Sequence, residues 1–270
     1  MPELAPKSAI YQISGLGFAY SGPPVLTDLN LEILPGRFYG IVGPNGCGKT
    51  TLLDLMVGER RPQTGSINFL GQELASYPRR VLAKNLALVP QEMPLRFPFT
   101  VSEAVLMGRH PHIPRFAAPS QTDLDMVERA LEQLALTALA GHLVTELSGG
   151  EHQRVVPARA LAQDTPVLLM DEPTSHLDIN HALAVLRVAE TRMRKEGRTV
   201  LAVMHDLNLA AAFCDHLVFI KDGRLHAAGP TAEVLKSDSL QEVFGVRARV
   251  AWDDFAGSRV VVFDKRGGTA

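Results

Sequence analysis

A glycine-rich loop in the first fifth of the chain constrains its fold more than any other feature. Residues 43–50 read GPNGCGKT, which fits the pattern G-x-x-x-x-G-K-[ST]. The apolar run FYGIV precedes this loop and the helical pattern TLLDLMVG follows it. This order of strand, loop and helix predicts a turn whose backbone N–H groups point at an anion, next to the positive end of a helix dipole.

The residue types in this phosphate loop (residues 43–50) suit the phosphates of a nucleotide. Lys49 is expected to reach the β- and γ-phosphates, and the Thr50 hydroxyl to ligate Mg²⁺. Cys47 occupies a free position of the pattern, and the nearby Lys49 and helix N-terminus are expected to lower its thiol pKa. The predicted nucleotide-binding residues here are Gly43, Pro44, Asn45, Gly46, Cys47, Gly48, Lys49, Thr50 and Thr51.

Two adjacent carboxylates follow another apolar run. Asp171 and Glu172 come directly after VLLM, which reads as a buried strand. Beside a phosphate-binding loop, Asp171 would hold the Mg²⁺ shell and Glu172 would orient or deprotonate the attacking water. Taken alone, the two residues are equally compatible with an acidic strand end that faces solvent.

The composition indicates an ordinary globular protein with a sizeable core. Hydrophobic residues make up 46% of the chain and charged residues 21%, and the formal net charge of −2 lacks the basic character of a nucleic-acid-binding surface. No run approaches the roughly 18 apolar residues of a membrane span, and the first residues lack the order of a signal peptide. We therefore expect a cytoplasmic protein that reaches a membrane only through a partner.

Apolar runs and helical patterns alternate along much of the chain. Strands are predicted at residues 38–42, 86–89, 167–170 and 201–204, and helices at 51–57, 122–140 and 181–195. This alternation predicts an α/β fold with a mainly parallel, helix-covered sheet. Earlier runs at 10–14, 29–33 and 66–69, separated by Gly- and Pro-rich turns, predict an N-terminal antiparallel β layer.

Two segments depart from the alternation. Residues from about 93 to 162 are mainly helical and are expected to form an inserted helical subdomain, whereas residues 246–263 predict a small β hairpin around residues 253–258. We expect one ATPase domain over residues 1–240 and a β-rich extension over 241–270. Pro157 lies inside a predicted helix, where it removes the bond to the Gln153 carbonyl and predicts a kink or break.

The order of the motifs resembles that of ATP-binding cassette (ABC) transporter ATPases. LSGGEHQR at 147–154 resembles the family signature, and SHLD at 175–178 and a lone His205 after LAVM complete the set in the family's order. The resemblance covers about residues 10–235. It implies a P-loop NTPase of the ABC ATPase fold that binds and hydrolyses ATP with Mg²⁺.

The resemblance also implies individual roles. Tyr20 would stack on adenine, Gln91 would contact Mg²⁺ and water, Asp178 would communicate across a dimer, and His205 would contact the γ-phosphate. The implied catalytic residues are Glu172, His205, Gln91 and Lys49, and the implied metal contacts are Thr50, Gln91 and Asp171. A purely structural role remains an alternative for two of these residues: Tyr20 as an ordinary turn aromatic, and His205 as a structural histidine.

The signature has a physical reading of its own. Ser148 followed by two glycines resembles a helix N-cap with exposed N–H donors, which is an anion site without a lysine. The resemblance implies that Ser148, Gly149 and Gly150 cap the γ-phosphate of an ATP held by another copy of the chain. It therefore implies a head-to-tail dimer with two ATP molecules in the interface.

Three further segments resemble importers of iron chelates, haem and cobalamin: FTVSEAVLMGRHPH, HDLNLAAAFCDH and FGVRARVAWDDFAGSRVVVF. They imply a homodimer bound to integral membrane permease subunits at the cytoplasmic face of the inner membrane, fed by a substrate-binding protein. The alternatives are a soluble ABC ATPase acting on nucleic acid or ribosomes, and the ATPase of an exporter. His110 and His112 lack carboxylate or thiol partners, so no metal is expected there.

The segment after Gln91 is rich in proline, which resists helix formation and can hold a surface groove open. The apolar residues Met93, Leu95, Phe97 and Phe99 would line this groove and receive a partner helix. The alternative is that they pack the joint between subdomains.

Overall fold

The computed structural model describes residues 8–91, 97–175 and 177–265. The chain forms two compact units. The first comprises Met1–Ser76 together with Leu201–Ala270, and the second comprises Tyr77–Val200. Met93 and Leu95 of the predicted groove lie outside the described residues.

Twelve strands and nine α-helices are found in the described residues. The strands are β1 (Tyr11–Phe18), β2 (Leu26–Ile33), β3 (Phe38–Val42), β4 (Thr64–Phe69), β5 (Gln72–Glu73), β6 (Leu86–Val89), β7 (Val167–Asp171), β8 (Thr199–Val203), β9 (His216–Lys221), β10 (Arg224–Pro230), β11 (Ala248–Asp253) and β12 (Ser258–Phe263). The helices are α1 (Lys49–Met56), α2 (Arg79–Asn85), α3 (Val101–Leu106), α4 (Gln121–Gln133), α5 (Gly149–Ala162), α6 (Ile179–Glu196), α7 (Leu207–Phe213), α8 (Thr231–Val234) and α9 (Ser237–Phe244).

The first unit contains the predicted antiparallel layer, in the order β2-β1-β4-β5. Strand β1 is central, with Tyr11 opposite Ile33 of β2 on one side and Phe69 of β4 on the other. The Tyr11 ring is fully buried 4.8 Å from the Phe69 ring, and its hydroxyl donates to the Met56 carbonyl at the end of α1. The layer is thereby anchored to the helix that follows the phosphate loop.

The first unit also contains the strand that leads into the phosphate loop. Strand β3 pairs in parallel with β9, β9 pairs antiparallel with β10, and the Met204 N–H at the end of β8 donates to the Ile41 carbonyl. Every residue of β3 is buried, which explains why its sequence is a continuous apolar run. Because β3 ends at Val42, the loop starts at the carboxyl end of a fully buried strand.

In the second unit β6 pairs in parallel with β7, with Leu86 opposite Val167 and Val89 opposite Met170. At the start of β8, the Thr199 N–H donates to the Pro166 carbonyl. Helices α3, α4 and α5 pack on one another, as predicted for the helical subdomain. The predicted fold class is confirmed, whereas the domain limits at residues 240 and 241 remain a prediction.

Two helix predictions need correction. The helix predicted over residues 122–140 ends at Gln133, because Ala135 adopts a left-handed conformation with φ +53°; a short 3₁₀ turn, Thr137–Leu139, follows. Of the two effects predicted for Pro157, a helix break is absent, since α5 continues from Gly149 to Ala162 with Pro157 buried inside it, whereas a kink stays a prediction. The surrounding core therefore holds the helix together despite the missing backbone donor.

The tail forms the predicted hairpin, with β11 antiparallel to β12 and Asp253 opposite Ser258. None of the helices in the described part of the chain has the length and the apolar composition that a membrane span requires.

An ion pair lies buried among the helices of the second unit. The Arg109 guanidinium donates to the Asp123 carboxylate at 2.9 Å, and both side chains are over nine-tenths buried. The pKa of Asp123 is lowered to about 2, chiefly by the hydrogen bond from the Ser120 hydroxyl and with help from Arg109. The ionised carboxylate therefore stabilises the folded state at neutral pH.

We predict that Asp123→Asn lowers the free energy of unfolding at pH 7 by about 3 kcal/mol, because it leaves the buried Arg109 without its counter-ion. The Asp123 contribution is fully present above pH 4 and is lost as the pH falls towards 2, since the folded-state pKa lies below the ordinary value of 3.8. Urea unfolding at pH 7 and pH 3 should show the gap between parent and variant narrowing at the lower pH.

The matched control is Asp125→Asn, which changes an exposed carboxylate on the same helix. It should alter stability little at either pH. An Asp123→Asn variant as stable as the Asp125→Asn variant at pH 7 would show that the buried pair does not stabilise this unit.

Candidate functional site

The phosphate loop has the backbone geometry that its sequence predicts. A Cβ atom at Gly43 would lie 2.1 Å from the Ile220 carbonyl oxygen, and Gly48 has φ +101°, so both positions require glycine. Gly48 is the N-cap of α1, and no side chain caps this helix. Because the N-cap residue is a glycine, no N-cap side chain competes with an anion for the first turn of α1.

Lys49 is held inside the loop. Its side chain is buried, and the ammonium donates to the carbonyls of Gly43 and Pro44 at 2.9 Å each. Both partners are neutral, and a buried cation is better stabilised by an anion. The loop therefore fits the phosphates of a nucleotide, and the predicted contact of Lys49 with them stays a prediction.

The expectation for Cys47 was wrong in direction. Its thiol is buried, and burial raises the pKa of Cys47 despite the opposing charge of Lys49, whose ammonium lies 4.0 Å from the sulfur. The desolvation of a thiolate outweighs one nearby cation here. Cys47 therefore fills space in the loop as a neutral thiol.

Tyr20 lies beside the first turn of α1, and its adenine-stacking role stays a prediction. Its ring is 52% exposed, and its hydroxyl lies 3.2 Å from the Thr51 hydroxyl. The Arg60 guanidinium sits 4.7 Å from the ring centroid and is paired with Asp54 at 3.2 Å. Sequence analysis missed Arg60 because it belongs to no motif, yet it covers one face of the predicted adenine platform.

His205 also belongs to the first unit. It follows β8, where the bond from Met204 to Ile41 holds the strand end beside β3. Asp206, the next residue, caps α7 by accepting the N–H groups of Asn208 and Leu209. His205 thus lies at the carboxyl ends of two adjacent strands, and one of these strands leads into the phosphate loop.

The second unit brings together Gln91 and Glu172, two predicted catalytic residues 81 positions apart. The Gln91 amide donates to the Glu172 carboxylate at 2.8 Å, and the Ser175 hydroxyl donates to the same oxygen at 2.9 Å. Asp171, the preceding residue, is buried at the end of β7. Ser175 was part of a recognised motif, but its contact with Glu172 was not predicted.

The backbone of Glu172 is strained. Its φ is +47°, in the left-handed region that favours glycine. Such conformations persist where the surroundings hold them, and they cluster at functional sites. The strain and the two hydrogen bonds fix the direction of the carboxylate at the end of β7.

Ser148 of the signature segment forms the predicted N-cap of α5, and the Glu151 side chain bonds back to it. The Ser148 hydroxyl and N–H both donate to the Glu151 carboxylate, at 2.6 and 2.9 Å, and these bonds lower the pKa of Glu151. A Cβ atom at Gly149 or Gly150 would meet nothing within 4 Å, so the face beside the cap is open. Any anion bound by Ser148 must therefore displace Glu151, a residue to which sequence analysis gave no role.

Asp178 caps α6. Its carboxylate accepts the His181 N–H at 2.9 Å and contacts the His181 ring at 2.8 Å, and the backbone bond is the main cause of its lowered pKa. The His112 ring contacts the Gln163 carbonyl at 2.9 Å, in keeping with a structural role. Across the described ranges, no group of three metal-ligating side chains is found.

Comparison with known proteins gives consistent matches. The profile of the ABC transporter family matches residues 26–175. The chain is 42% identical to the cobalamin import ATP-binding protein BtuD of Halobacterium salinarum over 92% of its own length, but it spans only 62% of that relative. It is 38% identical to the siderophore transport ATP-binding protein YusV of Bacillus subtilis, covering 93% of this chain and 92% of that one.

A third relative is the hemin import ATP-binding protein HmuV of Bordetella pertussis, at 42% identity over 88% of this chain and 93% of that one. Among solved structures, a metal-chelate-type ABC transporter in an inward-facing conformation has a TM-score of 0.80 at 31% identity, covering 95% of this chain and 97% of that one. The dimeric cassette MJ0796 bound to ADP and Pi has a TM-score of 0.71 at 28% identity, covering 82% and 98%.

We predict that Lys49→Ala weakens MgATP binding by about tenfold to a hundredfold, because charge-assisted hydrogen bonds to phosphate are lost. Equilibrium titration with a fluorescent ATP analogue measures the change. Lys84→Ala, which removes an exposed lysine, should leave the affinity unchanged. Equal affinities for the two variants would remove Lys49 from the nucleotide site.

Proposed function

This chain belongs to the ABC transporter family, and we propose that it is the ATP-hydrolysing subunit of an importer for a metal chelate such as ferric siderophore, haem or cobalamin. The observation that carries the ATPase proposal is the Glu172 carboxylate, fixed at the end of β7 by Gln91 and Ser175. The importer proposal rests on the relatives, whose names describe import of cobalamin and hemin and transport of siderophores.

ATP binding is assigned to the phosphate loop. The uncapped first turn of α1 and the Lys49 ammonium would hold the phosphates, and the exposed Tyr20 ring would stack on adenine. Stacking on the face covered by Arg60 requires that guanidinium to move aside. Thr50, Gln91 and Asp171 would hold Mg²⁺, which when bound neutralises charge on the phosphates.

Glu172 would act as the general base. Its carboxylate oxygen accepts two hydrogen bonds, so its direction is set before a water molecule arrives. A positioned base of this kind orients the water and takes its proton as the water attacks the γ-phosphate. Gln91 touches the base directly, and whatever moves the segment after Gln91 would therefore alter hydrolysis.

A head-to-tail dimer would complete each ATP site. Ser148, Gly149 and Gly150 present a helix N-terminus with an open face, which suits the γ-phosphate of an ATP held by the partner copy. Ser148 would exchange its bonds to Glu151 for bonds to phosphate. Asp178, at the start of α6, would communicate across the same interface.

The segment after Gln91 would receive the permease. Phe97 is 70% exposed and Phe99 38% exposed, with ring centroids 6.1 Å apart. This exposure supports a partner-binding surface over packing within the unit, for these two residues. The chain would thereby sit at the cytoplasmic face of the inner membrane through its permease, and a substrate-binding protein would deliver the chelate from the other side.

The test is Glu172→Gln, which keeps the shape of the side chain and removes the base. ATP hydrolysis should fall by about 10²–10⁴-fold, while ATP binding is retained. Cells that lack this chain should lose uptake of one labelled chelate among ferric siderophore, haem and cobalamin. The parent gene should restore that uptake, and the Glu172→Gln gene should not.

Glu132→Gln, an exposed change on α4, serves as the control and should behave like the parent. Hydrolysis by Glu172→Gln at the parent rate would show that Glu172 is not the base. Normal uptake of all three chelates without the chain would exclude them as its substrates and contradict the proposed importer role for these chelates.

A further inference from the structure

Two of the segments that resemble the chelate-importer group are joined in the first unit. Helix α7 begins two residues after His205, and β12 belongs to the C-terminal hairpin. The Asn208 side-chain oxygen accepts the Val261 N–H at 2.7 Å, and its amide nitrogen lies 3.5 Å from the Val261 carbonyl oxygen. One side chain on α7 thus contacts both polar backbone groups of a β12 residue.

The contact provides hydrogen-bond partners for backbone groups on the edge of β12 that faces away from β11. Val261 lies opposite Val250 in the hairpin, but its N–H points away from β11 to Asn208. An asparagine amide carries both a donor and an acceptor, so it can replace a neighbouring strand at this one position. The Val261 side chain is buried, which shows that β12 is packed as well as hydrogen-bonded here.

The contact lies close to His205 along the chain. On one side of His205, Met204 is bonded to Ile41 of β3. On the other side, Asp206 caps α7, which has only seven residues and is too short to be stable without tertiary support. Helix α7 packs against β3 and, more extensively, against β12 of the hairpin, to which Asn208 is hydrogen-bonded. His205 therefore lies between two anchored segments, and the second is joined to the C-terminal extension.

We propose that Asn208 is a positioning residue: it fastens α7 to the C-terminal hairpin and thereby holds His205 in the orientation that contacts the γ-phosphate. This inference rests on the proposed role of His205. The C-terminal extension then has a function within the chain: it holds His205 in place to contact the γ-phosphate, which ATP has and ADP lacks.

The quantity to measure is the ratio of the Kd for MgADP to the Kd for MgATP, because only ATP carries the γ-phosphate. Titrations use the full chain with Glu172→Gln, so that ATP stays intact. Asn208→Ala should lower the ratio about fivefold, the equivalent of one lost hydrogen bond, and leave the MgADP affinity unchanged. Val261→Pro removes the N–H group that donates to the Asn208 side chain, and it should lower the ratio similarly.

Asn30→Ala is the matched control. The Asn30 side-chain oxygen also accepts a backbone N–H, that of Gly15 at 2.8 Å, so the variant loses the same kind of bond in the antiparallel layer. Both asparagine variants should lower Tm by a few degrees. Only Asn208→Ala should change the nucleotide ratio, which separates positioning from general stability.

A third comparison uses His205→Ala, which should lower the ratio by itself. Adding Asn208→Ala to that variant should cause no further change, because the two residues act through one contact. The inference is overturned if Asn208→Ala leaves the ratio unchanged, or lowers it further when His205 is absent. A His205→Ala variant with the parent ratio would instead overturn the γ-phosphate role of His205, and the inference with it.

Discussion

The site in the first unit depends on the hydrogen bonds that the buried Lys49 ammonium donates to two carbonyls of the phosphate loop. A cation at this position needs partners, and the loop supplies two carbonyls because it folds tightly back on itself. That folding needs glycine at Gly43, where the chain passes close to Ile220, and at Gly48, which turns into α1. Strand β3 has to be fully buried for the loop to begin at a fixed place. The fold of this unit thus serves to present one lysine and one helix N-terminus.

In the second unit, the group that the fold holds in position is the Glu172 carboxylate. Glu172 adopts a backbone conformation that is unfavourable for its residue type, and Gln91 and Ser175 hold its side chain from two directions. Carboxylates elsewhere in this unit hold helix ends: Asp123 at α4, Glu151 at α5 and Asp178 at α6. Such caps stabilise the helices by satisfying their free N–H groups. Glu172 instead follows the end of a strand, and this contrast supports its proposed role as the base.

The features that could be predicted from sequence are those encoded locally. The phosphate loop, the Ser148 cap and the two carboxylates at the end of β7 each depend on a few adjacent residues, and each has the predicted local structure. The features that were missed depend on tertiary surroundings. The raised pKa of Cys47 follows from burial, the place of Arg60 over Tyr20 follows from the path of the chain after α1, and the continuity of α5 through Pro157 follows from packing. Local patterns carry no information about these surroundings.

Two copies of the chain are proposed to share each ATP site, and mixed dimers test this sharing. Lys49→Ala disables the phosphate loop of one copy, and Ser148→Arg blocks the signature of the other. In a head-to-tail dimer, the mixed pair retains one intact site, formed by the loop of the Ser148→Arg copy and the signature of the Lys49→Ala copy. Each variant alone should be inactive, and an equal mixture should recover up to about a quarter of the parent ATPase rate. A mixture as inactive as its components would contradict the shared site.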